Sequence, residues 1–167
     1  IGERDVRFPG GIVPTVTKVP LPEGILKDFN KSVYILRTGL TEEAEPSLSE
    51  VYASHILNTG MHETYIWGQL SIECLKALVR GDIERLGILT YMSVPLREKL
   101  SPRSITRLIA KPLDDMVVKY GREGFSYGNT GIRLGGSVVL YLPAHMEEAR
   151  KQEILEDVVR SVGGSIE

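Results

Sequence analysis

Apolar positions alternate along short runs near both ends of the chain and recur at helical spacing through its middle. Residues 8–22, FPGGIVPTVTKVPLP, mix β-branched residues with four prolines, and each proline removes a ladder donor. That stretch predicts an edge strand or a bent ribbon. A turn is expected at Pro22–Gly24, followed by a buried strand over Ser32–Arg37 (SVYILR) that stops at Thr38–Gly39. Thr41–Pro46, with Glu42, Glu43 and Glu45, reads as a solvated loop.

From Ser47 the period becomes helical. Leu48, Val51, Tyr52 and His55 share a face, and the run ends near Asn58–Gly60. A second helix is predicted over Glu63–Val79, with Ile66, Leu70, Cys74 and Ala77 inward. Arg80–Gly81 closes it, and Asp82 caps a third helix carrying Ile83, Leu86 and Leu89, which Pro95 is expected to limit. Ser101–Pro102 opens a further helix with Ile105, Leu108 and Ile109, where Pro112 predicts a kink or a new start. Six of the 16 residues in Gly121–Gly136 are glycine, too many for a packed helix, so this stretch reads as a loop. Ser137–Leu142 (SVVLYL) is then a strand, and His145–Val162 a helix with Leu155, Val158, Val159 and Val162 inward. The closing SIE reads as the start of another strand. Helices grouped between strands rather than alternating with them predict an α+β fold with a largely antiparallel sheet.

Length and composition narrow this further. A chain of 167 residues makes one domain, 1–167, and buries roughly 70% of the surface its unfolded form exposes. Twenty Lys and Arg stand against 22 Asp and Glu, for a formal net charge of -2, so no bulk basic field draws nucleic acid or anionic lipid. No apolar run is long enough for a membrane span, and IGERDVRF does not read as a secretory leader. A cytoplasmic protein is expected. Cys74 is the only cysteine, which excludes an internal disulfide and a Cys-rich zinc site.

The glycine-rich stretch carries the strongest chemical signal. Without Cβ atoms, successive backbone N–H groups can converge on an anion; the plainer reading is a hairpin without ligand. Thr130-Gly131-Ile132-Arg133-Leu134-Gly135-Gly136, followed by SVVLYLP, resembles the C-terminal glycine motif of the GHMP small-molecule kinases. That motif runs T/S-G-A-G-x-G-G into an apolar strand. Thr130, Gly131, Gly135 and Gly136 match, while Ile132 replaces an alanine and Arg133 a glycine. Residues 75–102, LKALVRGDIERLGILTYMSVPLREKLSP, resemble a helix pair of the sugar and heptose-phosphate branch, and VYILRTG (33–39) resembles its strand ending in Thr-Gly. Gly2-Glu3-Arg4-Asp5 with Gly10-Gly11 is similar to the segment bearing the family's catalytic aspartate, with a shorter spacing to the glycines.

The resemblance implies a C-terminal, ferredoxin-like, substrate-side half of an ATP- and Mg²⁺-dependent kinase acting on a hydroxyl of a sugar or sugar-like compound. In it Asp5 is the candidate base, Thr38, Gly39, Gly10 and Gly11 lie near substrate, and Thr130, Gly131, Arg133, Gly135 and Gly136 close over the phosphates. No P-G-L-G-S-S-like phosphate loop occurs in these 167 residues, so a missing N-terminal half or a partner chain is expected to supply it. The chain begins at Ile1 without an initiator methionine, which suggests a trimmed or partial chain, not competent alone. Arg133 fits either a phosphate contact or a neutral or disruptive place in the loop.

Other candidates stay open. His55, His62 and Glu63 do not form H-E-x-x-H and read as capping or surface residues rather than a metal site. Trp67, Tyr65 and Tyr52 suit a sugar pocket or core packing, and Cys74 suits core more than a nucleophile. The alternative to a kinase is a non-catalytic α+β ligand-binding or regulatory module, or one chain of a two-chain assembly. The 8–22 edge would allow pairing with another copy, giving a homo-oligomer.

Overall fold

The structure, a computed structural model, describes residues 2–4, 12–14, 18–39, 53, 57, 61–100, 107–129 and 136–167. Asp5, Gly10, Gly11, Thr130, Gly131, Arg133, Gly135, the acidic stretch Thr41–Pro46, the helix expected from Leu48 with Tyr52 and His55, and Ser101–Pro102 lie outside them. In chain order the elements are β1 (Gly2–Arg4), β2 (Ile12–Pro14), α1 (Glu23–Ser32), β3 (Val33–Arg37), α2 (Met61–Arg80), α3 (Ile83–Leu100), α4 (Arg107–Tyr120), β4 (Ser126–Asn129), β5 (Ser137–Tyr141), α5 (Glu148–Val162) and β6 (Ser165–Ile166).

β1 and β2 pair antiparallel as a two-stranded sheet, with Gly2 opposite Pro14 and Arg4 opposite Ile12. The other four strands form an antiparallel sheet in the order β4-β5-β3-β6. That order belongs to a ferredoxin-like βαββαβ unit, here with α2, α3 and α4 inside the first connection. The fold is α+β with an antiparallel sheet, as the grouping of helices predicts.

Period-two alternation divides the sheet into two faces. Leu36, Val138, Leu140 and Tyr127 enter one core with Ile109, Leu113, Met116 and Val117 of α4 and Ile154, Leu155 and Val158 of α5. Tyr141, on the opposite face from Leu140, joins a second cluster with Phe29 of α1, Leu70, Cys74 and Ala77 of α2, and Leu86 and Leu89 of α3. Helix α3 lies against the edge strand β4 so closely that two glycines are required. A Cβ on Gly87 would stand 2.7 Å from Tyr141 Cβ and closer still to Ser126 Oγ, and one on Gly128 would overlap Thr90 Cγ2. Gly128 therefore answers to packing, not to a ligand.

Five expectations are corrected. The segment after Pro22 is helical rather than a turn running to the strand: Leu26 N–H donates to Pro22 O at 3.1 Å, Glu23 sits in the first turn, and Phe29 packs against the second cluster. Helix α3 passes through Pro95 to Leu100, because Val94 is 6% exposed in the core and Lys99 pairs with Glu63 of α2 at 3.6 Å. Pro95 itself faces solvent directly after buried Val94, and the helix carries on past the missing N–H bond. At Pro112 no new helix starts: it sits inside α4, between buried Ala110 and Leu113. Finally, Gly121–Gly136 is not all loop: Ser126–Asn129 forms β4, with Phe125 and Tyr127 almost fully buried. Helix α5 also starts at Glu148, three residues later than expected.

Polar groups lock these layers together. Asp82 Oδ1 accepts the Arg85 N–H at 3.0 Å, the cap expected for α3. Asp114 of α4 accepts hydroxyls from Tyr91 of α3 at 3.0 Å and Tyr127 of β4 at 2.9 Å. Burial, then the bond to Asp114, raises the Tyr127 hydroxyl pKa far above its ordinary value. Lys151, 1% exposed, donates to Lys31 O at 3.0 Å, Ala144 O at 3.5 Å and Glu148 Oε1 at 2.9 Å. It thereby satisfies a last-turn carbonyl of α1, which also accepts the Tyr34 hydroxyl at 3.1 Å.

Candidate functional site

The sheet register brings one set of strand ends together. Arg37 at the end of β3 pairs with Ser137 at the start of β5 and Ser165 at the start of β6, while Asn129 at the end of β4 pairs with Val138. Just beyond the ladder, Thr38 N–H donates to Gly136 O at 3.1 Å. Three of the residues singled out from sequence, Thr38, Gly39 and Gly136, thus meet at the sheet end where residues 130–135 connect β4 to β5. Thr38 and Gly136 are half-buried and Gly39, with φ +71°, is exposed.

The neighbouring charge is already compensated. Arg37 Nε and Nη2 both donate to Glu167 Oε2 at 3.1 Å, in an ion pair with both side chains more than half exposed. A pair so exposed adds little stability. It does fix the guanidinium along β6, and sequence reasoning missed it because 130 positions separate the partners.

Helix direction places a second feature beside this end. Gly87 faces Ser126 and Thr90 faces Gly128, so α3 runs in the same sense as β4, toward the end that carries the loop. Helix α2 returns antiparallel to it, as the Cys74–Thr90 and Glu63–Lys99 contacts require. Between them lies a pocket of about 260 Å³ lined by Trp67, Leu70, Ser71, Cys74, Thr90, Ser93 and Val94. Ser71 Oγ donates to Trp67 O at 2.9 Å, Thr90 Oγ1 to Leu86 O at 2.8 Å and Ser93 Oγ to Thr90 O at 2.6 Å. With their protons committed to helix carbonyls, these hydroxyls keep lone pairs as acceptors. Thr90 Oγ1 is also met by the Tyr141 hydroxyl at 3.5 Å and Cys74 Sγ at 4.0 Å, so an indole wall and the acceptor hydroxyls of Ser71 and Ser93 are what the pocket offers, which suits a small neutral molecule bearing hydroxyl groups.

The remaining sequence candidates separate. Trp67 lines the pocket, while Tyr65, two positions away and 67% exposed, points elsewhere. Burial pushes the Cys74 thiol above its ordinary pKa, with the Thr90 contact opposing, so it is held as a thiol rather than a nucleophilic thiolate. Glu63 pairs with Lys99, and among the described residues no three His, Cys, Asp or Glu side chains are grouped to hold a metal ion. A wider trough between α5 and β6, about 790 Å³, includes Glu156, Arg160 and Glu167, and the last two are engaged by Asp157 and Arg37. Among the described residues no helix is long and apolar enough to cross a membrane.

No family model matches the sequence, and no curated protein matches it. Among solved structures, the chain is similar to a mevalonate kinase of L. major in complex with R-mevalonate, with a TM-score of 0.64 and 16% identity. The match covers 81% of this chain and 40% of that one, so the chain spans less than half the length of the kinase it matches. The likeness is one of fold: an α+β architecture shared with part of that kinase.

Proposed function

We propose that the chain is the C-terminal, substrate-side half of an ATP-dependent GHMP-type kinase that phosphorylates a hydroxyl of a sugar or a similar small hydroxyl compound. The observation that carries this reading is the Thr38–Gly136 hydrogen bond, which joins the Thr-Gly strand end to the base of the glycine loop within a kinase-like fold. When bound, ATP with Mg²⁺ supplies the phosphoryl group. In this proposal the backbone N–H groups of Thr130–Gly136 would hold phosphate oxygens, Arg133 would add a forked donor, and Asp5 would take the substrate hydroxyl proton. Gly10 and Gly11 would flank Asp5. The pocket between α2 and α3 would accept the hydroxyl-bearing body of the substrate. The phosphate-cradling helix end would come from the rest of the protein, and no step is assigned to the cation by the described residues.

The test is phosphoryl transfer by the full-length protein with ATP, Mg²⁺ and a panel of sugars together with R-mevalonate. Gly135→Ala should lower kcat by about 100-fold or more at unchanged thermal stability, the scale of losing aligned donors to developing charge. Unchanged turnover would remove the loop from catalysis. Small-molecule binding without turnover in the unaltered protein would favour the non-catalytic module.

A further inference from the structure

Helix α2 carries a second, exposed apolar face. Met61, Tyr65, Ile72, Leu75 and Val79 are 53%, 67%, 49%, 48% and 48% exposed, and Gly68 completes their row. The steps from 61 to 65, 68, 72, 75 and 79 are four, three, four, three and four. That is an uninterrupted heptad seam, with Tyr65, Ile72 and Val79 at a positions and Met61, Gly68 and Leu75 at d positions. It lies opposite the face that Leu70, Cys74 and Ala77 bury against α3.

We propose that this seam is the interface of a homodimer in which α2 packs antiparallel against α2 of a second copy. Area argues for it. Five large side chains about half exposed present on the order of 500 Å² of mostly apolar surface per protomer, close to the apolar share of a standard interface of about 800 Å² a side. Shape argues for the antiparallel sense. A two-fold axis at the middle of the seam sets Met61 against Val79, Tyr65 against Leu75, and Gly68 against Ile72. Each large knob then meets a smaller partner, and Ile72 enters the hole left by Gly68, around whose missing Cβ nothing lies within 4 Å. A parallel pair would instead stack Gly68 on Gly68 and leave a void. Charge does not oppose it: Thr64 and Ser71 border one side, and on the other Lys76 carries its own counter-ion, Glu73, at 2.6 Å.

Sedimentation of the full-length protein at micromolar concentration tests this. A dimer is expected, and Leu75→Glu should weaken it at least 100-fold while leaving the thermal midpoint of the monomer unchanged. Disulfide trapping reads the orientation. Met61→Cys combined with Val79→Cys should cross-link efficiently, whereas Met61→Cys alone should not, since the two copies of residue 61 would stand about 27 Å apart along the axis. A dimer that survives Leu75→Glu, or one trapped by Met61→Cys alone, overturns the proposal. So does a monomer destabilised by Leu75→Glu, which would show the seam covered by another part of the same polypeptide.

Discussion

Gly128→Ala separates the two reasons a glycine can sit in this stretch. The added Cβ would overlap Thr90 Cγ2, while the next nearest atoms, Thr90 Cβ and Thr90 O, stand at 3.4 and 3.8 Å. One methyl group therefore accounts for the conflict. Overpacking of this kind costs about 1–3 kcal/mol. Alanine recovers about 0.5–1 kcal/mol of backbone entropy in a strand, which leaves a net loss of roughly 1–2 kcal/mol. Thr90→Ser removes the methyl and keeps the hydroxyl bond to Leu86 O, at a cost of about 0.8 kcal/mol for one buried carbon. The double variant should then be no less stable than Thr90→Ser alone, a favourable coupling of about 1–2 kcal/mol. Urea unfolding of the four proteins measures the cycle, provided the slopes agree. A coupling inside about 0.5 kcal/mol would refute the reasoning, since independent sites add that closely. Were Gly128 needed for a ligand instead, the double variant would regain stability but not turnover.

Three further outcomes follow from buried or paired groups. Lys151→Met keeps the apolar stem but strips a donor from the Ala144 carbonyl and from the Lys31 carbonyl, which retains the Tyr34 hydroxyl, and should cost about 1 kcal/mol; a gain in stability by chemical denaturation would show that burying the ammonium outweighs its bonds. Ser32 is fully buried, and among the described residues its Oγ has no hydrogen-bond partner, so Ser32→Ala should stabilise the fold by up to about 1 kcal/mol, where a loss of that size in a thermal scan would reveal a partner. The Lys119 ammonium, then the Tyr120 hydroxyl, hold the Asp157 carboxyl below its ordinary pKa. Its contribution is present above the unfolded pKa of about 3.9 and is lost as pH falls through the lower folded value. The gap in denaturation midpoint between the protein and Asp157→Asn should accordingly be open at pH 7 and close below about pH 4, and a gap that ignores pH would contradict this.

Where one physical signal dominated, the sequence was readable. Alternation marked β5, helical spacing marked the inward face of α2 and α5, and Asp82 announced the start of α3. Elements were missed where tertiary packing overrode a local signal. Pro95 follows buried Val94 and Pro112 lies between buried Ala110 and Leu113, so packing carries each helix past its missing N–H. Ser126–Asn129 contains a glycine and polar residues, yet becomes a strand because β5 offers a ladder and Thr90 fills the space above Gly128. Helix α1 was hidden by a Pro-Leu-Pro-Glu-Gly start that reads as a turn, although proline just before a first turn is compatible with helix.

The site divides along the same line. Thr38, Gly39 and Gly136 were nameable because strand ends are visible in sequence, and antiparallel register then carries them to one edge. The pocket beside them was not. It depends on Ser71 and Ser93, residues on two helices that antiparallel packing of α2 on α3 brings to one cavity, while Gly87 and Gly128 let α3 settle onto β4. Two glycines with no chemistry of their own thus set the distance between the helix pair and the loop-bearing end of the sheet. A substitution at Gly128 should alter the shape of the pocket through the position of Thr90, even with every lining residue intact. The glycines of this chain fall into two kinds: those at the sheet end proposed to approach a phosphate, and those under α3 that bring the pocket up to it.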